Sequence, residues 1–123
     1  MCPCGSGRAV DACCGQYHAG TAAPDAESLM RSRYSAFVLG LEDYLLATWH
    51  PNTRPARLEL DAPPRAQWLG LVIKSHTPLD AEHATVEFVA RYKLNGRAFK
   101  LHETSRFERV GERWVYVDGE VHE

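Results

Sequence analysis

Asn95-Gly96 stands between runs of alternating apolar and polar residues, and this limits the fold more than any other feature of the chain. Ahead of it, Val86, Phe88, Ala90, Tyr92 and Leu94 alternate with Glu87, Val89, Arg91 and Lys93. A period of two assigns the two sets to opposite faces of a strand. Asn-Gly suits the two positive-φ positions of a type I′ turn, so the flanking strands should pair as a hairpin. A third strand is expected from Arg97 to about Glu108, Gly111 marks the next turn, and Trp114 to Asp118 reads as a fourth. Upstream, Trp68 to His76 is rich in Leu, Val and Ile and reads as an earlier strand, with a turn beginning at Thr77-Pro78-Leu79-Asp80. Together these make an antiparallel meander of three or four strands.

The first half has a different period. Leu29, Met30, Arg33, Tyr34, Phe37, Val38 and Leu41 fall at helical spacing behind Asp25, a suitable N-cap, and Gly40 can end or bend that helix. Leu41, Tyr44, Leu45, Thr48 and Trp49 continue a shorter helical face, which Pro51 should stop. Residues 50 to 66, with Pro51, Pro55, Pro63 and Pro64, read as an irregular loop. Two helices followed by a meander give an α+β domain with helices covering one face of a curved sheet. A length of 123 residues accommodates one such domain and at most a small appendage. A formal charge of −2 gives no general attraction to nucleic acid or anionic lipid. No apolar run approaches the roughly 20 residues that cross a bilayer, and no secretory signal pattern opens the chain, so a cytoplasmic protein is expected.

All four cysteines, Cys2, Cys4, Cys13 and Cys14, lie in the first fourteen residues. In a reducing compartment such a cluster points to metal or redox chemistry rather than disulfides. Thiolates are soft ligands, and four of them complete a zinc tetrahedron at about 2.3 Å each. Gly5-Ser6-Gly7 permits a tight turn around an ion, and its N–H groups together with Arg8 are natural partners for the excess negative charge. Such a site is closed and therefore structural, because zinc catalysis needs an open position. His18, four residues past Cys14, is a substitute ligand to weigh. A redox pair is the competing reading, but the spacing is not Cys-x-x-Cys, and Cys13-Cys14 could join only through a strained ring.

Cys2-Pro3-Cys4-Gly5-Ser6-Gly7 followed by Cys13-Cys14-Gly15 resembles the SEC-C motif, the zinc-binding segment at the C-terminus of the translocase ATPase SecA. The resemblance implies Zn2+ held by Cys2, Cys4, Cys13 and Cys14. In SecA the segment contacts the chaperone SecB, so it also implies docking to a protein, a SecB-like chaperone or a translation or secretion component. The body resembles the YchJ-like family of uncharacterised bacterial proteins through Met30-Arg31-Ser32-Arg33-Tyr34-Ser35-Ala36-Phe37-Val38, Tyr44-Leu45-Leu46-Ala47-Thr48-Trp49, His102-Glu103-Thr104-Ser105-Arg106-Phe107 and Trp114-Val115-Tyr116-Val117-Asp118-Gly119. That family has a nuclear-transport-factor-2-like (NTF2-like, cystatin-like) fold, a cone of curved sheet closed by helices. Its longer members carry a second, C-terminal cysteine motif that residues 1 to 123 do not contain. The expected organisation is a zinc knuckle at 1–18, a connector at 19–25 and the cone at 26–123.

Phe99, Leu101, Glu103, Ser105 and Phe107 share one face of the third strand, so a core on the aromatic side carries Glu103 inward. An inward carboxylate needs a partner; Arg31 or Arg33 could supply the charge, and Trp114 or Tyr116 a donor. Asp118 alternates onto the face of Trp114 and Tyr116. The catalytic candidates are therefore Glu103 or Asp118 as base, assisted by His102 or Tyr116, in a pocket that would hold a small molecule. His102 falls on the opposite face from Glu103, which favours a buried ion pair over an active site. No reaction is assigned. The leading expectation is a zinc-binding adaptor with a protein partner, a homodimer being a further option, with a ligand-binding or enzymatic cone around Glu103 as the alternative and nucleic acid disfavoured.

Overall fold

The computed structural model describes residues 1–58, 60 and 65–122. A 3-10 turn at Val10–Ala12 is followed by helices α1 (Cys14–His18), α2 (Ala26–Leu39) and α3 (Glu42–Ala47). Strands β1 (Gln67–Pro78), β2 (His83–Leu94), β3 (Arg97–Val110) and β4 (Arg113–Val121) then form one antiparallel sheet in sequence order. The hairpin read from Asn95-Gly96 is present: both residues have positive φ, 52° and 80°, and Leu94 pairs with Arg97. Of the proline-rich loop, Pro63 and Pro64 lie outside the described residues.

The sheet curves because its strands are not regular. Leu69 and Lys74 are each an extra residue in β1 against β2, and Val117 is an extra residue in β4 against β3. Each such bulge bends its strand and steepens the local twist. The concave side takes α2. Leu29, Met30 and Tyr34 of that helix pack with Ala84, Val86, Phe88 and Ala90 of β2 and Phe107 of β3. Burying a side chain the size of Leu or Phe contributes about 1.5–3 kcal/mol before ordering costs, so this contact is the main source of stability. The ends of α2 follow the sequence: the Asp25 carboxylate accepts from the Ser28 N–H at 2.7 Å, and Gly40 closes the helix at φ 75°.

α3 ends before the expected boundary. Instead of continuing the helical face through Trp49, residues 48–50 run beside β4, where Tyr116 N–H donates to Thr48 O (2.8 Å) and His50 N–H to Tyr116 O (2.7 Å). These bonds satisfy an otherwise bare sheet edge, which outweighs the last helical turn.

Cys14–His18 is helical, and it seats the N-terminal segment on α2: His18 Nε2 lies 2.9 Å from Ser32 O, Arg31 Nη1 donates to Cys4 O at 3.1 Å, and Cys2 Sγ is 3.5 Å from Ser35 Oγ. Ser32 and Ser35 are fully buried beneath it. Their small side chains let the cysteine loop approach the helix closely. No helix among the described residues is long and apolar enough to cross a membrane.

Candidate metal centre

The turns that build the cysteine cluster are set by short backbone bonds. Cys2 N–H donates to Arg8 O (2.7 Å) and Gly5 N–H to Cys2 O (3.2 Å), closing the first loop, while Gly5 and Gly7 take positive φ of 85° and 83°. The 3-10 turn hands the chain to Cys13 and Cys14, with Cys13 N–H donating to Val10 O at 3.1 Å. One sulfur from each of the four cysteines then lies within 4.8 Å of every other, and all four residues are buried. Val10 and Leu71 pack against the group.

The donor set fits a tetrahedral ion. Four sulfurs about 2.3 Å from a centre stand about 3.8 Å apart, and Cys4 Sγ to Cys13 Sγ measures 3.7 Å. Donors surround the sulfurs: Ser6 Oγ gives a hydrogen bond to Cys13 Sγ at 3.1 Å, Arg8 Nη2 reaches the same atom at 3.7 Å, and Ser35 Oγ flanks Cys2. Burial works against the Cys2 thiolate, but the Ser35 hydroxyl and the N–H groups of Cys4 and Cys14 outweigh it and bring that thiol down to about 6. Burial, joined by the neighbouring sulfurs, pushes Cys4 and Cys14 up. The Cys2 thiolate is favoured while those of Cys4 and Cys14 are resisted, and a cation among the sulfurs would offset that resistance. His18 stands apart, its ring 4.7 Å from Tyr44 and its Nε2 engaged with Ser32 O. Arg8 was legible as a partner of the sulfurs; Ser35, 33 residues from Cys2, carried no local signal.

Of the four catalytic candidates, Glu103 and Tyr116 line one inner cavity, and His102 and Asp118 do not. Glu103 faces inward as expected and accepts from Ser105 Oγ. Its side chain presses on Gly119, where an added Cβ would stand 2.3 Å from Oε2. Neither expected arginine pairs with it. Arg31 bonds Glu27 and Cys4 O. The buried Arg33 gives its Nη1 hydrogens to Leu45 O (2.8 Å) and Thr48 Oγ1 (2.7 Å), and its guanidinium lies 4.7 Å from the Tyr116 ring centre and 5.0 Å from that of Trp49. A carbonyl, a hydroxyl and two aromatic faces thus take the guanidinium's direct contacts, and the Glu103 charge acts on it without a hydrogen bond. Tyr116 lines the same cavity, and burial followed by the Glu103 charge pushes its hydroxyl up to about 12, so it holds its proton near neutrality.

Asp118 is a correction. The Val117 bulge reverses the alternation, so Asp118 leaves the face of Tyr116 and makes a two-pronged pair with Arg106 on the outer face, which holds its carboxyl below the usual carboxylate range. His102 is also on the outer face, its Nε2 2.6 Å from Glu87 Oε2. The cavity beside Glu103 measures about 160 Å3 and is walled by Phe37, Trp49, Trp68 and Phe88 among others. Pockets for organic ligands start at about 300 Å3, so this one does not support the small-molecule reading.

The comparisons with known proteins agree with this geometry. A family model described as the YchJ middle NTF2-like domain matches residues 25–119. A UPF0225 protein of Bordetella pertussis is 60% identical over 123 residues, covering 98% of this chain and 92% of its own length. A UPF0225 protein of Cupriavidus metallidurans is 57% identical over 129 residues, covering 99% and 89%. The solution structure of RPA3114, a SEC-C motif containing protein from Rhodopseudomonas palustris, matches with a TM-score of 0.86 at 31% identity over 99% of this chain and 98% of that one. The crystal structure of a SEC-C motif containing protein from Psychrobacter arcticus gives a TM-score of 0.80 at 33% identity, covering 100% and 83%. With a match over most of its length, a sheet of that type and a cysteine cluster seated on it, the chain belongs to the YchJ-like, UPF0225 family.

Proposed function

We propose that this chain is a zinc-binding adaptor in which Cys2, Cys4, Cys13 and Cys14 hold one Zn2+ and the ordered knuckle docks a protein partner. The observation that carries the reading is the closed set of four buried sulfurs at tetrahedral spacing. Four thiolates leave zinc no open position, so the ion supplies shape rather than chemistry. The loop outside them, Gly5 to Ala9 with Asp11 and Ala12, is solvent-exposed apart from the half-buried Val10, and offers a rigid edge once metal is bound. The SEC-C resemblance supports a partner of the chaperone, translation or secretion class, and unpaired thiols suit a cytoplasmic setting.

Metal analysis of the purified chain should find one zinc equivalent held by the thiols and lost in Cys13→Ser. Partner capture should be compared between the unaltered chain and Asp11→Arg, an exposed change that leaves the four sulfurs in place. Absence of thiol-bound metal overturns the zinc half. Identical partner sets from the two proteins overturn the docking half.

A further inference from the structure

The outer face of the sheet carries a second group of metal-ligating side chains, far in character from the cysteines. One ligand atom from each of Glu87 (β2), His102 (β3) and His122 (just past β4) lies within 4.8 Å of the other two. The geometry points to a second divalent-metal site formed by Glu87, His102 and His122, with an open coordination position that the cysteine centre lacks.

Three features build the site. First, strand pairing places the ligands: Val89 and Glu87 lie opposite His102 and Thr104, and the His122 N–H donates to His102 O at 2.8 Å. The two imidazoles consequently face each other, with centroids 4.4 Å apart and planes inclined by 31°. Second, the Val117 bulge decides the face. In unbroken alternation with Tyr116, His122 would turn toward the core; the extra residue turns Asp118 and His122 outward together. Third, the ligands have supports of their own. Thr104 Oγ1 lies 2.7 Å from His122 Nε2, and Ser75 Oγ donates to Glu87 Oε1 at 3.5 Å. Partners of this kind orient metal-bound imidazoles and carboxylates.

Two imidazoles and one carboxylate are borderline ligands suited to zinc, cobalt, nickel or ferrous iron. Ligand atoms about 2.0–2.1 Å from a tetrahedral ion stand about 3.3 Å apart, so binding requires only that the 2.6 Å contact between His102 and Glu87 open and that His122 draw in. The half-exposed side chains of His102 and Glu87 leave room for that adjustment and for a water or small anion at the remaining position.

Cobalt titration of the full chain, read by its electronic spectrum and by metal content after desalting, tests this. Unaltered protein should take up one more equivalent than His102→Ala or His122→Ala, and that equivalent should lack the intense thiolate charge-transfer bands of a cysteine site. Thr104→Val should keep it with affinity weaker by about 10–100-fold. Added azide should change the spectrum of that equivalent alone. Equal uptake by unaltered and His→Ala proteins overturns the site, and an azide-silent spectrum overturns the open position. Circular dichroism of each variant confirms that a lost equivalent is not a lost fold, and Glu87→Gln provides a further substitution that keeps side-chain size.

Discussion

At the scale of single residues, Gly119 shows how space rather than backbone conformation can fix an identity. It lacks the positive φ found at Gly5 or Gly96, yet an added Cβ would meet the Glu103 carboxyl group. Gly119→Ala should push that carboxylate off Ser105 toward the cavity it shares with Arg33, costing about 1–2 kcal/mol in urea unfolding through a lost hydrogen bond and a strained rotamer. In a Glu103→Ala background the same change should be neutral or slightly stabilising, because alanine in a strand is favoured over glycine. A penalty that persists without Glu103 would contradict this account. The inward direction of Glu103 was legible from alternation alone. Its partner was not, since the sequence offers two arginines on α2 and nothing local shows that Arg33 is taken by Leu45 O, Thr48 and two aromatic rings.

At the scale of elements, the hairpin and the helix ends were readable because each is fixed by neighbours in sequence: Asn95-Gly96 by its turn, α2 by Asp25 and Gly40. The bulges were not. Leu69, Lys74 and Val117 are ordinary strand residues, only Leu69 has a glycine (Gly70) beside it, and each is an extra residue only relative to its partner strand. This is why alternation alone puts Asp118 on the wrong face. Deleting Val117 removes the extra residue and makes Tyr116 and Asp118 neighbours on opposite faces, so Asp118 should stay opposite Arg106 and His122 should stay outward. The deletion should therefore keep the Arg106–Asp118 pair, with a loss of about 0.5–3 kcal/mol in urea unfolding from the straightened strand. Loss of the fold on deletion would show that the sheet depends on the bulge itself.

At the scale of the whole molecule, the cysteine segment is part of the body's surface rather than a separate piece on a tether. Composition made residues 19–25 look like a spacer, and only the tertiary contacts of His18, Arg31 and Ser35 bring the segment back onto α2. The sheet order leaves β1 and β4 as its margins, and residues 48–50 bond along β4. On the other side, Gly5 approaches the Leu71 carbonyl and Leu71 packs against the cysteines. The cysteine loop thus lies against β1 at Leu71, and an ion that ordered the loop would also bear on colloidal behaviour. Stripping metal with a strong chelator should raise light scattering as bared β1 strands of neighbouring molecules pair, and Leu69→Lys, a charge at an exposed bulge, should suppress the rise. Scattering that is unchanged by chelation would separate self-association from the metal. In a cell, the same coupling would make scarcity of the ion a problem of self-association before it became one of unfolding.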